Sequence, residues 1–382
     1  MNPIRLFKCS EIYHPAYRWF LQNFPEGQNL SYQQHLSLLF RQRIQWADFW
    51  KQNLEATGAF VVEEVLRNAT EIQNKWALEN KIEVADPVSL VIQQAKAFQP
   101  DVFFAHSFPT GSADLIARLR REVPSIRLVI GWDGIAHCSK DMFVGRDMMF
   151  TCADFITAEY KKAGVLAHTV PFAFEETVLE DLGPVRPRPS PSFLGTLHLG
   201  GGGHNERIRL LYELQEKSGH HIDLYTSTPT GSMFENVQVA LGYLKRFEFD
   251  VIPKASHLMK NSLGPRFGLE MFRAFAESPV TVNAHIDVAK SFAGNIRLFD
   301  ATGCGACLLT DHKDNLSQYF EIDKEIVTFK SRQDCLEKLE WLMDHESERV
   351  AIARAGQEKT LKQHSYRNRL AQVAAVISSA VA

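Results

Sequence analysis

The run Ser291-Phe-Ala-Gly294-Asn295-Ile-Arg297-Leu-Phe-Asp300 holds glycine, an amide, a cation and a carboxylate in close succession. If Gly294 and Asn295 open a helix, Arg297 and Asp300 are three apart and share one face. The free N–H groups of that helix start, together with Arg297, suit a diphosphate. Asp300, one turn on, suits two ribose hydroxyls. A second run, Leu199-Gly-Gly-Gly202-Gly203-His204-Asn-Glu-Arg207, is a glycine loop that enters a helix. Its glycines let backbone N–H groups approach a phosphate, and His204 and Arg207 can add charge. Asn283 and His285 follow an apolar stretch and can face the same ligand. For proton transfer, His14, His106, Asp133 and His137 lie near expected strand ends. His14 is the first choice of base for a hydroxyl and Asp133 the second. Tyr13, Trp19 and Trp132 can stack on a sugar. Each of these residues also has a structural use: a flexible turn, a helix cap with a surface ion pair, or core packing.

These groups need strands and helices to hold them. Apolar runs predict strands at Ile4–Cys9, Phe60–Val65, Val102–Ala105, Ile126–Ile130, Phe155–Ala158 and His168–Phe172. Helices are expected over about Ser31 to Glu55, Pro87–Phe98 and Ser112–Glu122, and a loop carries Tyr13 to Trp19. The proline-dense stretch from Gly183 to Pro191 marks a boundary, since proline neither donates to a ladder nor favours helix before it. Beyond it, strands Phe193–Thr196, Ile222–Thr226, Val280–Asn283, Ala306–Thr310 and Glu325–Phe329 alternate with helices Asn205–Lys217, Gly268–Ala276 and Ile296–Gly303. Alternation of this kind predicts two α/β domains with parallel sheets, because parallel strands need helical crossovers. In such sheets ligands lie beyond the carboxyl ends of the strands. The expected division is 1–183, 190–362 and a C-terminal helix over 363–382.

The 382 residues are 45% hydrophobic and 23% charged, with a formal net charge of −3. No basic tract stands out, which argues against a nucleic-acid partner. No apolar stretch is long enough to span a bilayer and no secretory signal is recognisable, so the expected location is cytoplasmic, with peripheral membrane contact left open. Cys304-Gly-Ala-Cys307 has a C-x-x-C spacing but runs into an apolar strand, so reduced structural thiols are expected. Glu248-Phe-Asp250 is the nearest approach to a D-x-D pair and lacks a clear strand end, so no metal or other cofactor is expected.

The run from Pro265-Arg-Phe-Gly-Leu-Glu-Met through Val282-Asn-Ala-His285 to Asn295-Ile-Arg-Leu-Phe-Asp-Ala-Thr-Gly-Cys-Gly resembles the C-terminal domain of CgeB-like, family-1-type glycosyltransferases. So do Leu309-Thr-Asp311, Asn315-Leu and the tail from Ala355-Gly356 to His364-Ser-Tyr-Arg367. The resemblance implies an α/β, GT-B fold: two Rossmann-like domains facing across a cleft, with the acceptor on the N-terminal side and a nucleotide-sugar donor on the C-terminal side. It implies transfer of a sugar to a hydroxyl of a glycan, lipid-linked glycan or polysaccharide. Asp300 stands where relatives carry a ribose-binding glutamate, and Gly294, Asn295 and Arg297 match the phosphate-loop region. Phe292 stands where many retaining relatives carry a second glutamate, so the stereochemistry stays open. A non-catalytic nucleotide or glycan-binding protein and a nucleotide-sugar epimerase on the same scaffold are the alternatives.

Overall fold

A computed structural model describes residues 2–83, 86–106, 113–134, 143–199, 203–227, 248–287 and 291–382. The chain divides into two compact units, Met1–Glu175 with Tyr366–Ala382, and Glu176–Ser365.

In the first unit, strands β1 (Ile4–Ser10), β2 (Phe60–Leu66), β3 (Val102–Ala105), β4 (Leu128–Asp133), β5 (Met148–Thr151) and β6 (Ala167–Thr169) form one sheet in the order β2-β1-β3-β4-β5-β6. Every pairing is parallel. Phe103, Val129, Met149 and Phe150 are fully buried, as sheets covered on both faces demand. The helix Pro87–Phe98 begins where Asp86 accepts a hydrogen bond from the Ser89 N–H and proline occupies the first turn. Its Val91, Ile92 and Ala95 pack with Phe7, Phe103 and Val129 in one core cluster.

Three expectations fail in this unit. The segment after β1 is a helix, His14–Asn23, not a loop; Pro15 in its first turn and buried Ala16, Tyr17 and Phe20 account for it. The single helix expected from Ser31 to Glu55 is two, Tyr32–Arg41 and Phe49–Glu55. Between them Arg43, Gln45 and Ala47 have positive φ, a conformation no helix continues through. Phe155–Ala158 is helical, within Asp154–Lys162, and the strand precedes it at Met148–Thr151. A four-residue apolar run fits either element, and here β4 supplies the parallel partner for the earlier run.

In the second unit, β7 (Ser192–Thr196), β8 (Asp223–Ser227), β9 (Val280–Asn283), β10 (Cys307–Asp311) and β11 (Val327–Phe329) form a parallel sheet in the order β11-β10-β9-β7-β8. Strand order reverses direction at β7, with β8 on one side and β9 on the other, a switch point of the kind that opens a crevice at strand ends. The helix Asn205–Lys217 presents Ile208, Leu211 and Leu214 to a core shared with Leu224, Val280, Val282 and Leu309. The helix Glu346–Gln363 passes close to the chain before β11, where Gly356 lies so near the Glu325 carbonyl that a Cβ would stand 2.3 Å from it.

Candidate functional site

The carboxyl ends of β9 and β10 carry a hydrogen-bonded polar chain. The Asn283 amide donates to Thr310 Oγ1 (2.9 Å), and the Asn295 amide donates to Asn283 Oδ1 (3.0 Å). Asn283 is buried in the last position of β9. The loop before Asn295, which includes Gly294, is pinned by Asn315. Its side chain accepts from the Ala293 N–H (2.6 Å) and donates to the Ala293 carbonyl (2.9 Å). The helix that follows runs Arg297–Gly303.

The expected helix start needs correction. Gly294 and Asn295 precede the helix, and its first N–H groups are already engaged. Asn295 Oδ1 takes the Arg297 N–H (2.8 Å), the Asn295 carbonyl takes Leu298, and the Ile296 carbonyl takes Phe299 and Asp300. What this segment offers a ligand is therefore the Arg297 side chain, half-buried, over the Phe275 ring. Arg297 also pairs with Asp300 at 3.1 Å. Asp300 is buried, which pushes its carboxyl up to about 6, with the Arg297 charge pulling the other way.

Of the glycine loop, Gly203 is described and Gly202 lies outside the described residues. The Gly203 carbonyl accepts from the Asp287 N–H (2.9 Å), and an Asp287 carboxylate oxygen accepts from the Asn205 N–H (3.1 Å). This ties the start of the helix Asn205–Lys217 to the chain after β9. Arg207 is buried and donates to the carbonyls of Thr196 and Ala284, bridging the ends of β7 and β9. His204 does not add charge as expected. Burial and the adjacent Arg207 push its pKa down to about 3, and Nδ1 of the neutral ring accepts from the His198 N–H (3.1 Å).

His285 follows β9 and is buried, with Nδ1 2.6 Å from Asp311 Oδ1 at the end of β10. Asp311 is a residue the sequence reading missed as a site residue. It lies at a strand end, so the rule that selected Asn283 selects it too, but nothing in the spacing pairs it with His285. Burial favours its neutral form. Hydrogen bonds from the His285 side chain and backbone, and the Lys313 charge 3.1 Å away, overcome that and hold it at about 2.

In the first unit, His14 is the exposed first residue of its helix. Asp133 is buried at the end of β4 and accepts from the Tyr160 hydroxyl at 3.0 Å. His106 is buried among Trp46, Trp50 and Trp132, and burial drives its pKa well down. His137 lies outside the described residues. Glu248 and Asp250 are engaged by Asn205 and Arg209. Cys304 and Cys307 are buried free thiols, raised by desolvation, Cys307 to about 12.

Parallel α/β units with polar groups gathered at the strand ends of the second define the class: this is a GT-B fold of two Rossmann-like domains. Residues 207–375 match the family model described as glycosyl transferase-like. No curated protein matches the chain. HepE from Anabaena, solved with UDP and glucose, superposes with a TM-score of 0.58 at 10% identity, covering 98% of this chain and 100% of its own. Sucrose-phosphate synthase from Thermosynechococcus elongatus gives 0.58 at 8% identity, covering 98% of each chain. A glycosyltransferase from Rickettsia africae gives 0.59 at 8%, covering 100% of this chain and 99% of that one. Likeness at such identities carries the fold alone. No helix among the described residues is long and apolar enough to cross a membrane.

Proposed function

We propose that the protein transfers a sugar from a nucleotide-sugar donor to a hydroxyl of a glycan, lipid-linked glycan or polysaccharide, with the donor held by the second unit. The observation that carries this reading is the polar chain Thr310–Asn283–Asn295 leading to Arg297 and Asp300, at strand ends within the family match. Arg297 holds the diphosphate, and Asp300, once ionised, accepts the ribose hydroxyls. Arg207 contributes positive field from behind the strand ends. In the reaction the bond from the sugar's anomeric carbon to the diphosphate oxygen breaks, and a bond to the acceptor oxygen forms. The acceptor proton passes to a base, and the cations stabilise the departing diphosphate without a metal ion. On the acceptor side, exposed His14 is the first candidate base for a hydroxyl. Asp133, buried and bonded to Tyr160, is the second candidate base. Domain limits near 183–190 and 362, a cytoplasmic location and contact with a membrane surface are parts of the same proposal.

Calorimetric titration with UDP, GDP, ADP and CDP tests it. One of them binds the wild type, and Arg297→Ala weakens that binding by about 10- to 100-fold, as loss of charge-assisted hydrogen bonds to phosphate predicts. Absence of binding by all four overturns the donor assignment.

A further inference from the structure

A cavity of about 360 Å³ lies within the first unit, beside β6, the last strand of its sheet. Ala167, His168 and Thr169 all line it. Successive strand residues face opposite sides, so a space that touches all three lies along the strand's edge. The Leu166 carbonyl and the Val170 N–H bond to β5. By alternation the Thr169 N–H points off the open edge, and no acceptor meets it among the described residues. The helix Asp154–Lys162 presents Asp154, Thr157, Ala158 and Lys161, which share one helical face. The helix Tyr366–Val381 adds Arg369, Gln372, Val373 and Val376. Two of these side chains, Lys161 and Arg369, are cations. The wall's one carboxylate, Asp154, accepts from the Thr169 hydroxyl (2.6 Å). Lys161 is exposed and forms no ion pair among the described residues, whereas the next residue, Lys162, pairs with Glu159 at 2.6 Å. Burial, and then the Lys161 charge, lower the pKa of His168, so that ring adds no charge near pH 7.

We propose that this cavity binds a phosphomonoester, with the phosphate held by Lys161, Arg369 and the Thr169 N–H. Donors that arrive from a strand edge and from two helices suit a tetrahedral oxyanion, which accepts from many directions; a carboxylate accepts near one plane. Val170, Val373 and Val376 form an apolar wall for the carbon skeleton of the ester. A soluble ester and a lipid headgroup share this chemistry. The proposal does not rest on the donor assignment, since every residue it uses belongs to the first unit.

Calorimetric titration of the full chain with glycerol 3-phosphate tests it, beside co-sedimentation with phosphatidylcholine vesicles prepared with and without phosphatidic acid. The wild type binds glycerol 3-phosphate, the phosphatidic acid vesicles, or both. Lys161→Met weakens that binding by about 10-fold, as loss of one charge-assisted contact predicts, and Lys162→Met stays within about 2-fold of wild type. Binding of glycerol 3-phosphate alone identifies a soluble ester, and binding of the vesicles alone a lipid headgroup. Binding of both shows that the phosphate suffices. Arg297→Ala lies outside the first unit and leaves this binding within about 2-fold. A 10-fold loss there would put the phosphate at Arg297 and overturn the proposal. Binding of neither probe overturns it too, as do undiminished binding by Lys161→Met and equal losses in the two lysine variants.

Discussion

Each unit buries a cation against its sheet, and the two do so differently. In the first, Lys8 in β1 lies fully buried against Glu64 of the neighbouring β2, and the Ser10 hydroxyl also donates to that carboxylate. In the second, Arg207 makes no carboxylate contact among the described residues. It donates to the Ala284 and Thr196 carbonyls and borders His204, which is neutral. Desolvation lowers the pKa of both cations, Arg207 to about 10 with Asp311 and Asp287 pulling back. The Lys8 charge is cancelled where it stands. The Arg207 charge is satisfied by dipoles, so its field persists at the ends of β7 and β9, where a phosphate would be expected. A neutralised pair serves packing; a cation held by carbonyls can serve an anion.

The largest expected effect breaks the first half of this contrast. Lys8→Met leaves Glu64 buried without its counter-ion and lowers unfolding free energy by about 3–5 kcal/mol. Lys8→Met with Glu64→Leu recovers most of that loss. Denaturant unfolding measures both, and a loss below about 1 kcal/mol in the single variant would remove the contrast. Next, Arg207→Met deprives two buried carbonyls of donors and costs about 1–3 kcal/mol. It also weakens nucleoside diphosphate binding, which the Lys8 variants leave unchanged; equal binding in all of them refutes the field argument.

The smallest effect is a pH dependence at Asp300. Its carboxyl titrates at about 6 in the folded chain, above its ordinary 3.8. The folded form thus holds a proton that the unfolded form has lost. The stabilisation is complete below the unfolded value and declines as pH rises towards 6. Ligand binding runs the other way, since ribose hydroxyls donate best to the ionised carboxylate. Affinity should rise several-fold between pH 5 and 7 in the wild type and stay flat in Asp300→Asn, by titration at each pH.

The second unit was more legible than the first, for a physical reason. Its strands Val280–Asn283 and its helix Asn205–Lys217 have the boundaries expected of them, because apolar runs end there on polar residues. The candidate residues Asn283, Asn295, Arg297 and Asp300 are local in sequence and are linked by hydrogen bonds and an ion pair. The His285–Asp311 contact was not legible, since only the pairing of β9 with β10 brings those residues together. The occupied amides before Asp300 were equally hidden: Asn295 reads as a ligand-facing amide, yet one side chain both caps the Arg297 N–H and bonds to Asn283. In the first unit, aromatic residues blurred the periodicity. Phe155 to Ala158 read as strand because four residues cannot distinguish the two periods, and Tyr13 to Trp19 read as loop although Pro15 is a helix-start signal.

The helix Tyr366–Val381 is grouped with the first unit, where Leu370, Val373 and Ile377 are buried and the Val381 carbonyl accepts from Arg127. The second unit is a continuous segment, whereas the first is assembled from two segments that flank it. On the ribosome the order of completion is therefore inverted: the unit begun first can finish only after Tyr366–Val381 has emerged, while the one begun later can already have closed.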